Sequence, residues 1–145
     1  MRIREVLGGK QTQDVVTVRP DATVRELLDL LAEYNIGAVV VSSDGAALDG
    51  IVSERDVVRR LHEDEAALDH PVSSIMSADV HTCERSATVN ELMAAMTQRR
   101  IRHVPVVEDG RVVGIVSIGD VVKSRMSELE FERDQLDSYV HTGQS

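Results

Sequence analysis

Two short motifs contain the side chains that could do chemistry, each a serine followed three residues later by an aspartate. They are Ser53 with Asp56 and Ser117 with Asp120, and each follows the same Gly-Ile-Val run. A Ser-x-x-Asp directly before an apolar helix is a typical helix start, because hydroxyl and carboxylate both accept hydrogen bonds from unpaired backbone N–H groups. The simpler interpretation of both motifs is therefore two helix N-termini.

The same local geometry also suits a nucleotide. A helix N-terminus at the carboxyl end of a strand offers N–H groups and a positive field to a phosphate, and a serine hydroxyl adds a donor. An ionised carboxylate only accepts hydrogen bonds, so it can accept from both hydroxyls of a ribose. The motif could therefore bind both halves of a nucleotide.

Composition and charge limit the class of function. The 145 residues suffice for one domain or two small ones with a real core, which must be aliphatic because aromatic residues are 2% of the chain. The formal net charge of −9 argues against a nucleic-acid partner, since phosphate binding needs a cationic surface. Charged and apolar residues alternate at the N-terminus, which predicts neither a signal peptide nor a membrane span.

Cysteine and histidine usage argue against several kinds of site. Cys83 is the single cysteine, so no internal disulfide is possible and a reducing compartment, the cytoplasm, is expected. The five histidines show no metal-ligand spacing, and no Gly-x-Ser-x-Gly nucleophile turn is present. We therefore expect no metal, no catalytic cofactor and no enzyme activity.

The chain is a tandem repeat. Residues 15–58 align with residues 80–122, with one extra residue in the first copy. The matching stretches are 22–24 with 87–89, 44–45 with 109–110, 50–53 with 114–117 and 56–58 with 120–122. The segments that lead into each copy also correspond, with Ile3, Val6 and Leu7 at the positions of Val72, Ile75 and Met76.

Each repeat predicts the order β-α-β-β-α. A short strand near 15–18 or 80–83 precedes an amphipathic helix whose apolar residues recur at helical spacing. Thr23 with Glu26, and Thr88 with Glu91, have the spacing of capping boxes at the starts of these helices. The Asp-Gly pairs at 44–45 and 109–110 predict two hairpins.

The predicted fold class is α/β (α+β), with two such repeats related by a pseudo-twofold axis and an extended C-terminal helix. A single unit leaves one sheet face uncovered, which a second unit can cover. We assign the first repeat with its lead-in to 1–62, a linker to 63–71, the second repeat to 72–126 and a helical extension and tail to 127–145. An apolar stripe on the last helix is either a dimer contact or part of a solvent-facing tail; it contains Val121, Val122, Met126 and Leu129.

This pattern resembles the CBS domain, and the tandem pair resembles a Bateman module. The resemblance covers about residues 1–126 and is strongest in the two "GIVS" stretches and in "RHVPVVEDGRVVGIVS" at 102–117. It implies a stand-alone regulatory protein that binds an adenosyl ligand such as AMP, ADP, ATP or NAD(H) in clefts between paired repeats. It also implies a homodimer and a further protein partner.

The resemblance implies roles for particular residues. Asp56 and Asp120 would bind ribose, with Ser53 and Ser117 near phosphate. Backbone and apolar groups around the purine would come from Thr17, Val18, Ala38 and Val39 at one site, and from Thr82, Cys83, His103, Val104 and Pro105 at the other. Arg102 and His103 would reach phosphates across a cleft, and Arg55 would partly replace them in the first site.

A different class of function remains open. In that alternative the protein is a structural homodimerisation module without a ligand, and the two Ser-x-x-Asp motifs only cap helices. The two alternatives differ in whether a nucleotide stabilises the protein.

Overall fold

The computed structural model describes residues 1–9 and 15–143, with two similar halves made of short sheets and helices. The elements are α1 (Ile3–Gly8), β1 (Thr17–Val18), α2 (Val24–Tyr34), β2 (Ala38–Val41), β3 (Gly50–Ser53), α3 (Glu54–Glu63), α4 (Val89–Arg99), β4 (His103–Glu108), β5 (Arg111–Ser117) and α5 (Ile118–Gly143). Two 3₁₀ turns, Glu65–Asp69 and Val72–Ser74, connect the halves. This order confirms the predicted mixed fold class.

The first sheet has three strands in the order β1-β2-β3. β1 is parallel to β2, and β2 forms an antiparallel hairpin with β3, in which Ala38 lies opposite Ser53. The second sheet is the hairpin of β4 and β5, in which His103 lies opposite Ser117. Both Ser-x-x-Asp motifs therefore begin where the last strand of a hairpin ends.

The strand predicted at 80–83 is reduced to one bridge in the structure. Cys83 pairs with Val106 in parallel, with its N–H donating to the Pro105 carbonyl over 3.1 Å. Its counterpart in the first repeat is a two-residue strand. The second copy has His81 and Thr82 where the first has Val16 and Thr17, so it offers less β-branched apolar surface for pairing.

The two predicted Asp-Gly turns differ in length. Asp109 and Gly110 both have positive φ, 52° and 75°, between the paired residues Glu108 and Arg111, which is the two-residue hairpin turn that this dipeptide favours. The first hairpin has a longer loop. There the Asp44 carboxylate accepts hydrogen bonds from the N–H groups of Ala47 (2.7 Å) and Ala46 (2.8 Å), which lower its pKa.

Both predicted capping boxes are present. The Thr23 hydroxyl accepts a hydrogen bond from the Glu26 N–H over 3.2 Å, and the Glu26 carboxylate accepts one from the Thr23 N–H over 3.3 Å. Thr88 and Glu91 repeat the arrangement at the start of α4. Each helix then buries three apolar residues on one face, which are Val24, Leu27 and Leu31 in α2 and Val89, Leu92 and Met96 in α4.

The two lead-in segments pack on the opposite repeats. Ile3 and Val6 of α1 belong to the core of the second half, whereas Val72 and Ile75 belong to the core of the first half. Backbone hydrogen bonds fix both exchanges, from the Ile3 N–H to the Ala87 carbonyl (2.9 Å) and from the Val72 N–H to the Ala22 carbonyl (2.7 Å). Sequence order had assigned each lead-in to the repeat that follows it.

The exchange explains why both "GIVS" motifs begin with a glycine, Gly50 in β3 and Gly114 in β5. A Cβ atom at Gly114 would lie 2.7 Å from Leu7 Cδ2, and one at Gly50 would lie 2.8 Å from the Ser77 carbonyl oxygen. Each lead-in thus occupies the space where a side chain would stand. No helix within 1–9 or 15–143 has the length and apolar content needed to cross a bilayer.

Candidate functional site

Both Ser-x-x-Asp motifs form reciprocal helix caps. The Asp56 N–H donates to Ser53 Oγ (3.3 Å), and the Ser53 N–H donates to Asp56 Oδ2 (2.8 Å). The corresponding distances are 3.1 Å and 2.9 Å for Ser117 and Asp120. The capping interpretation is therefore confirmed for both copies, and any ligand role would be additional to it.

A cavity of about 670 Å³ borders the second motif. This volume is within the range of pockets that hold small molecules and cofactors. Both halves and the first lead-in contribute to its wall, which consists of Met1, Glu5, Val6, Gly9, Val16, Tyr34, Asn35, Ile36, Gly37, Ala38, His103, Ile115, Ser117, Asp120, Lys123, Ser124 and Ser127. The cavity is thus an inter-repeat cleft.

Sheet register and a close approach between the halves position this cleft. The pairing of β4 with β5 puts His103 opposite Ser117, so the start of β4 and the start of α5 meet at one sheet edge. The first half approaches that edge through Gly37, where a Cβ atom would lie 3.6 Å from His103 Cε1. Gly37 occupies the position that Arg102 occupies in the other repeat, so the first half leaves space for the imidazole.

The charged groups around the cleft are of both signs. Asp120 and Glu5 supply carboxylates, and Lys123 supplies an ammonium group one helical turn after Asp120. Lys123 makes no ion pair with another described residue. His103 adds an imidazole to the same wall. Met1 also lines the cleft, and its N-terminal ammonium pairs with Glu128. The lining therefore provides several acceptors and few cations, and it suits a ligand with few negative charges.

The structure brings four of the predicted site residues together in this cleft, namely Ala38, His103, Ser117 and Asp120. Val18, Val39 and Val104 instead lie in the two hydrophobic cores, where their side chains pack against apolar neighbours. Pro105 is also buried, and Thr17 is half-buried in the pairing of β1 with β2. These five residues support the sheet edges and do not line the cleft.

Thr82 and Cys83 border a different cavity. Its volume is about 730 Å³, and it lies at the β4–β5 turn between Arg4, Arg85 and Gly110. Burial raises the pKa of the Cys83 thiol to about 11. A thiol with that pKa is protonated at neutral pH, which fits a packing role for this cysteine.

Arg102 and the first motif lie outside the cleft. Arg102 borders an outer groove of about 600 Å³ together with Ile118, Val122 and Met126 of α5. Arg55 is exposed, and neither it nor Asp56 lines one of the three cavities described above. The Oδ1 atom of Asp56 accepts no hydrogen bond from the part of the chain that the structure describes.

Several lining residues were not predicted. Lys123 could have been found, because a side chain three residues after Asp120 lies on the same helix face. Glu5 and Gly9 could not, since their place in the wall depends on the lead-in exchange. Over residues 1–9 and 15–140, no group of three or more histidine, cysteine or acidic side chains is arranged to hold a metal ion.

The chain matches a known protein family along most of its length. The model of the CBS domain matches residues 3–63 and again residues 72–127. The curated protein "CBS domain-containing protein CBSX3, mitochondrial" of Arabidopsis thaliana is 35% identical over 128 residues. That alignment covers 85% of this chain and 62% of the plant protein, so the chain spans less than two thirds of that relative.

Solved structures share the architecture. The CBS-domain containing protein ATU1752 from Agrobacterium tumefaciens is 44% identical, with a TM-score of 0.80 over 86% of this chain and 92% of that one. The CBS domain pair of protein MJ0100, solved with 5′-methylthioadenosine and S-adenosyl-L-methionine, has a TM-score of 0.78 over 88% of this chain and 98% of that one. Its identity of 23% relates the two by fold alone.

Proposed function

The chain belongs to the CBS-domain family, and from this membership we propose that it is a regulatory module that binds an adenosyl compound in the inter-repeat cleft. The candidate ligands are AMP, ADP, ATP, NAD(H) and S-adenosylmethionine, which share the adenosine half. Ligand binding would bias the arrangement of the two repeats, and a further protein would respond to that change. The protein itself would perform no reaction.

The observation that supports this proposal most is the position of Asp120 at the wall of a cleft shared by both repeats. Its cap uses the Ser117 N–H, which donates to Oδ2 over 2.9 Å. A carboxylate has about four lone-pair sites, so a carboxylate that caps a helix can also accept hydrogen bonds from ribose hydroxyls. The N–H groups of Ile118 and Asp120 already donate to the Arg102 carbonyl and to Ser117 Oγ. The Ser117 hydroxyl and the Gly119 N–H would face the phosphate or its equivalent.

The ligand class draws support from the MJ0100 pair. That protein was solved with two adenosyl compounds, and both present the same ribose hydroxyls. Lys123 and His103 would neutralise a single anionic group, in place of the Arg102 expected from sequence. Ala38 and Ile36 would provide apolar contact for the purine.

Asp56 remains a candidate for a second site. It repeats the local geometry of Asp120, and its Oδ1 atom has no partner among the described residues. Arg55 is the exposed cation nearest to it in the sequence. We propose that a second adenosyl ligand binds there, so that the number of ligands bound per chain falls from two to one in Asp56→Asn.

A structural module is the second candidate function, and the capping hydrogen bonds favour it. Both aspartates already stabilise their own helices, so their presence in each repeat does not by itself require a ligand. In that case the protein would serve only to form a homodimer. Thermal unfolding with and without nucleotides distinguishes the two functions.

The test compares Asp120→Asn with Glu91→Gln. Each change replaces the carboxylate of a capping box in the second repeat by an amide whose oxygen can still accept the cap N–H. Each should therefore cost only the attraction between a negative charge and the helix N-terminus, about 0.3–1 kcal/mol of stability. Only Asp120 borders the cleft, so D120N should weaken AMP binding at the cleft site, and not at the site proposed beside Asp56, by about ten- to a hundredfold in calorimetry, the scale of hydrogen bonds to a charged group. E91Q should bind AMP as the wild type does. Equal effects of the two variants on affinity, or no binding by the wild type, would refute the proposal.

We also propose a homodimer in the cytoplasm. A single half-buried cysteine is compatible with a reducing compartment, although the plant relative is named as mitochondrial. Fluorescence localisation of the tagged full-length protein tests the compartment.

A further inference from the structure

The C-terminal half of α5 contributes no residue to either hydrophobic core of the described part of the chain. Near its start the helix is anchored by Val121, which is 1% exposed, and by Ser124. From Leu129 to Val140, every side chain is exposed. An isolated helix of this length is marginally stable in water, because helices in proteins gain most of their stability from packing an apolar face. The extension therefore needs a partner surface.

Five of the exposed apolar residues of α5 form one stripe, namely Val122, Met126, Leu129, Leu136 and Val140. Ile118, Phe131 and Tyr139 are exposed outside this stripe. With Arg133 included, the intervals are 4, 3, 4, 3 and 4 residues, which is the heptad spacing of a coiled-coil seam. Val121, which sequence had grouped with this stripe, instead lies in the core of the second half. We refer to the six residues from Val122 to Val140 as the α5 seam.

We propose that the α5 seam of one chain packs antiparallel against the α5 seam of a second copy. In this register Val122 lies opposite Val140 of the second copy, and Met126 lies opposite its Leu136. Leu129 then lies opposite Arg133, so the two arginines of the seam are kept apart. This proposal specifies the contact of the homodimer proposed above.

Charge along the helix supports a second copy as the partner. The start of α5 contains Lys123 and Arg125, whereas its C-terminal half contains Glu130, Glu132, Asp134 and Asp137. The start also contains Asp120 and Glu128, of which Glu128 pairs with Arg125, so antiparallel pairing puts Lys123 of each helix beside the acidic end of the other. Lys123 would face Asp137 of the second copy on one flank of the seam, and neither makes an ion pair with a described residue of its own chain.

The parallel arrangement is less favourable. It would bring Arg133 of both copies to the same level inside the seam, and it would put Glu132 beside Asp137. In the antiparallel arrangement two like-charge pairs remain near the midpoint, Glu130 with its own copy on one flank of the seam and Glu132 with its own copy on the other. Arg133 of each chain lies within one turn of both residues and can offset their repulsion.

The outer groove extends the proposed contact onto the body of the protein. It is lined by Arg102, Ile118, Val122 and Met126. Leu136 and Val140 of the second copy would enter this groove, with its acidic residues near Arg102 and Lys123. This contact with acidic residues of the second copy would explain why Arg102 lies outside the nucleotide cleft.

The first test uses Leu136→Glu with Phe131→Glu as its matched control. The two side chains are each 63% exposed on the same helix, but only Leu136 belongs to the seam. Sedimentation equilibrium should show a wild-type dimer, at least a tenfold weaker dimer in L136E, and an unchanged dimer in F131E. A monomeric wild type, or equal dissociation constants in all three proteins, would overturn the proposal.

The second test determines orientation by charge reversal. Lys123→Glu and Asp137→Lys should each weaken the dimer, and the double variant should restore it, because the pair is re-formed with exchanged signs. Failure of the double variant to recover would overturn the antiparallel register.

AMP affinity is measured separately on L136E, since Leu136 lies away from the cleft. A weaker dimer in L136E together with wild-type AMP affinity supports the seam. If AMP does not bind but the dimer responds to L136E and F131E as predicted, only the nucleotide proposal is refuted.

Discussion

At the residue scale, Asp56 and Asp120 have the same local structure and different surroundings. Each accepts a hydrogen bond from the N–H of the serine three residues earlier. Only Asp120 borders one of the three described cavities. The sequence predicts the caps, because capping depends on neighbours three residues apart. It does not predict the surroundings, because these depend on which segments of the chain pack together.

Local spacing likewise explains why some of the predicted site residues line the cleft and others do not. His103 and Ser117 were placed together by the hairpin that pairs them. Val39 and Val104 directly follow the cleft-lining residues Ala38 and His103, so their side chains point to the opposite face of the strand and into the cores. A strand that is buried on both faces gives no periodic signal to separate these two sets.

The Cys83 thiol gives a pH-dependent prediction. Burial raises its pKa to about 11 in the folded protein, above the ordinary value of 9.0, so the folded state holds the thiol proton more tightly than the unfolded chain does. Stability from this group is complete below pH 9 and is lost as the pH rises from 9 through 11. Iodoacetamide alkylation should accelerate near pH 11 in the folded protein and near pH 9 in urea. A folded-state midpoint at 9 would contradict this account.

At the element scale, the lead-in exchange organises the fold. The helices, hairpins and capping boxes follow from periodicity and turn residues, which act over short distances in the sequence. The exchange of α1 with 72–76 does not, because both lead-ins have the same apolar pattern and either repeat could accept either one. The glycines at the start of the "GIVS" strands were the available signal, since they indicate a close approach.

Alanine at the two glycines tests the exchange. A Cβ atom at Gly50 would lie 2.8 Å from the backbone carbonyl oxygen of Ser77, whereas a Cβ atom at Gly114 would meet the terminal carbons of the Leu7 side chain. A side chain can rotate away more easily than a backbone segment can shift. We therefore expect both variants to be destabilised, by about 1–3 kcal/mol, with Gly50→Ala the more affected.

Urea unfolding of both variants measures this difference. The wild-type protein and a variant at the exposed Gly119 serve as controls, because a Cβ atom there would meet only Ser117 Oγ at 3.6 Å. Gly119→Ala should be neutral or stabilising in the helix. Wild-type stability of Gly50→Ala would mean that Ser77 does not pack on β3.

At the scale of the whole molecule, charge should determine which adenosyl compounds bind. The chain has a net charge of −9. The wall of the cleft contains the carboxylates of Glu5 and Asp120 and the side-chain ammonium of Lys123. Each further phosphate adds repulsion in this field, which salt screens. We expect affinity to fall from AMP to ADP to ATP in calorimetry without magnesium, and the differences to narrow at high salt. ATP binding more tightly than AMP at low salt would contradict this.

The central claim is that the Asp120 carboxylate accepts a hydrogen bond from the ribose of an adenosyl ligand. Calorimetric titration of the wild type and Asp120→Asn with AMP and with 2′-deoxy-AMP tests it most directly. The account predicts that losing the 2′-hydroxyl weakens binding by about tenfold in the wild type and has almost no further effect in D120N. The same loss in both proteins, or no AMP binding by the wild type, would contradict it.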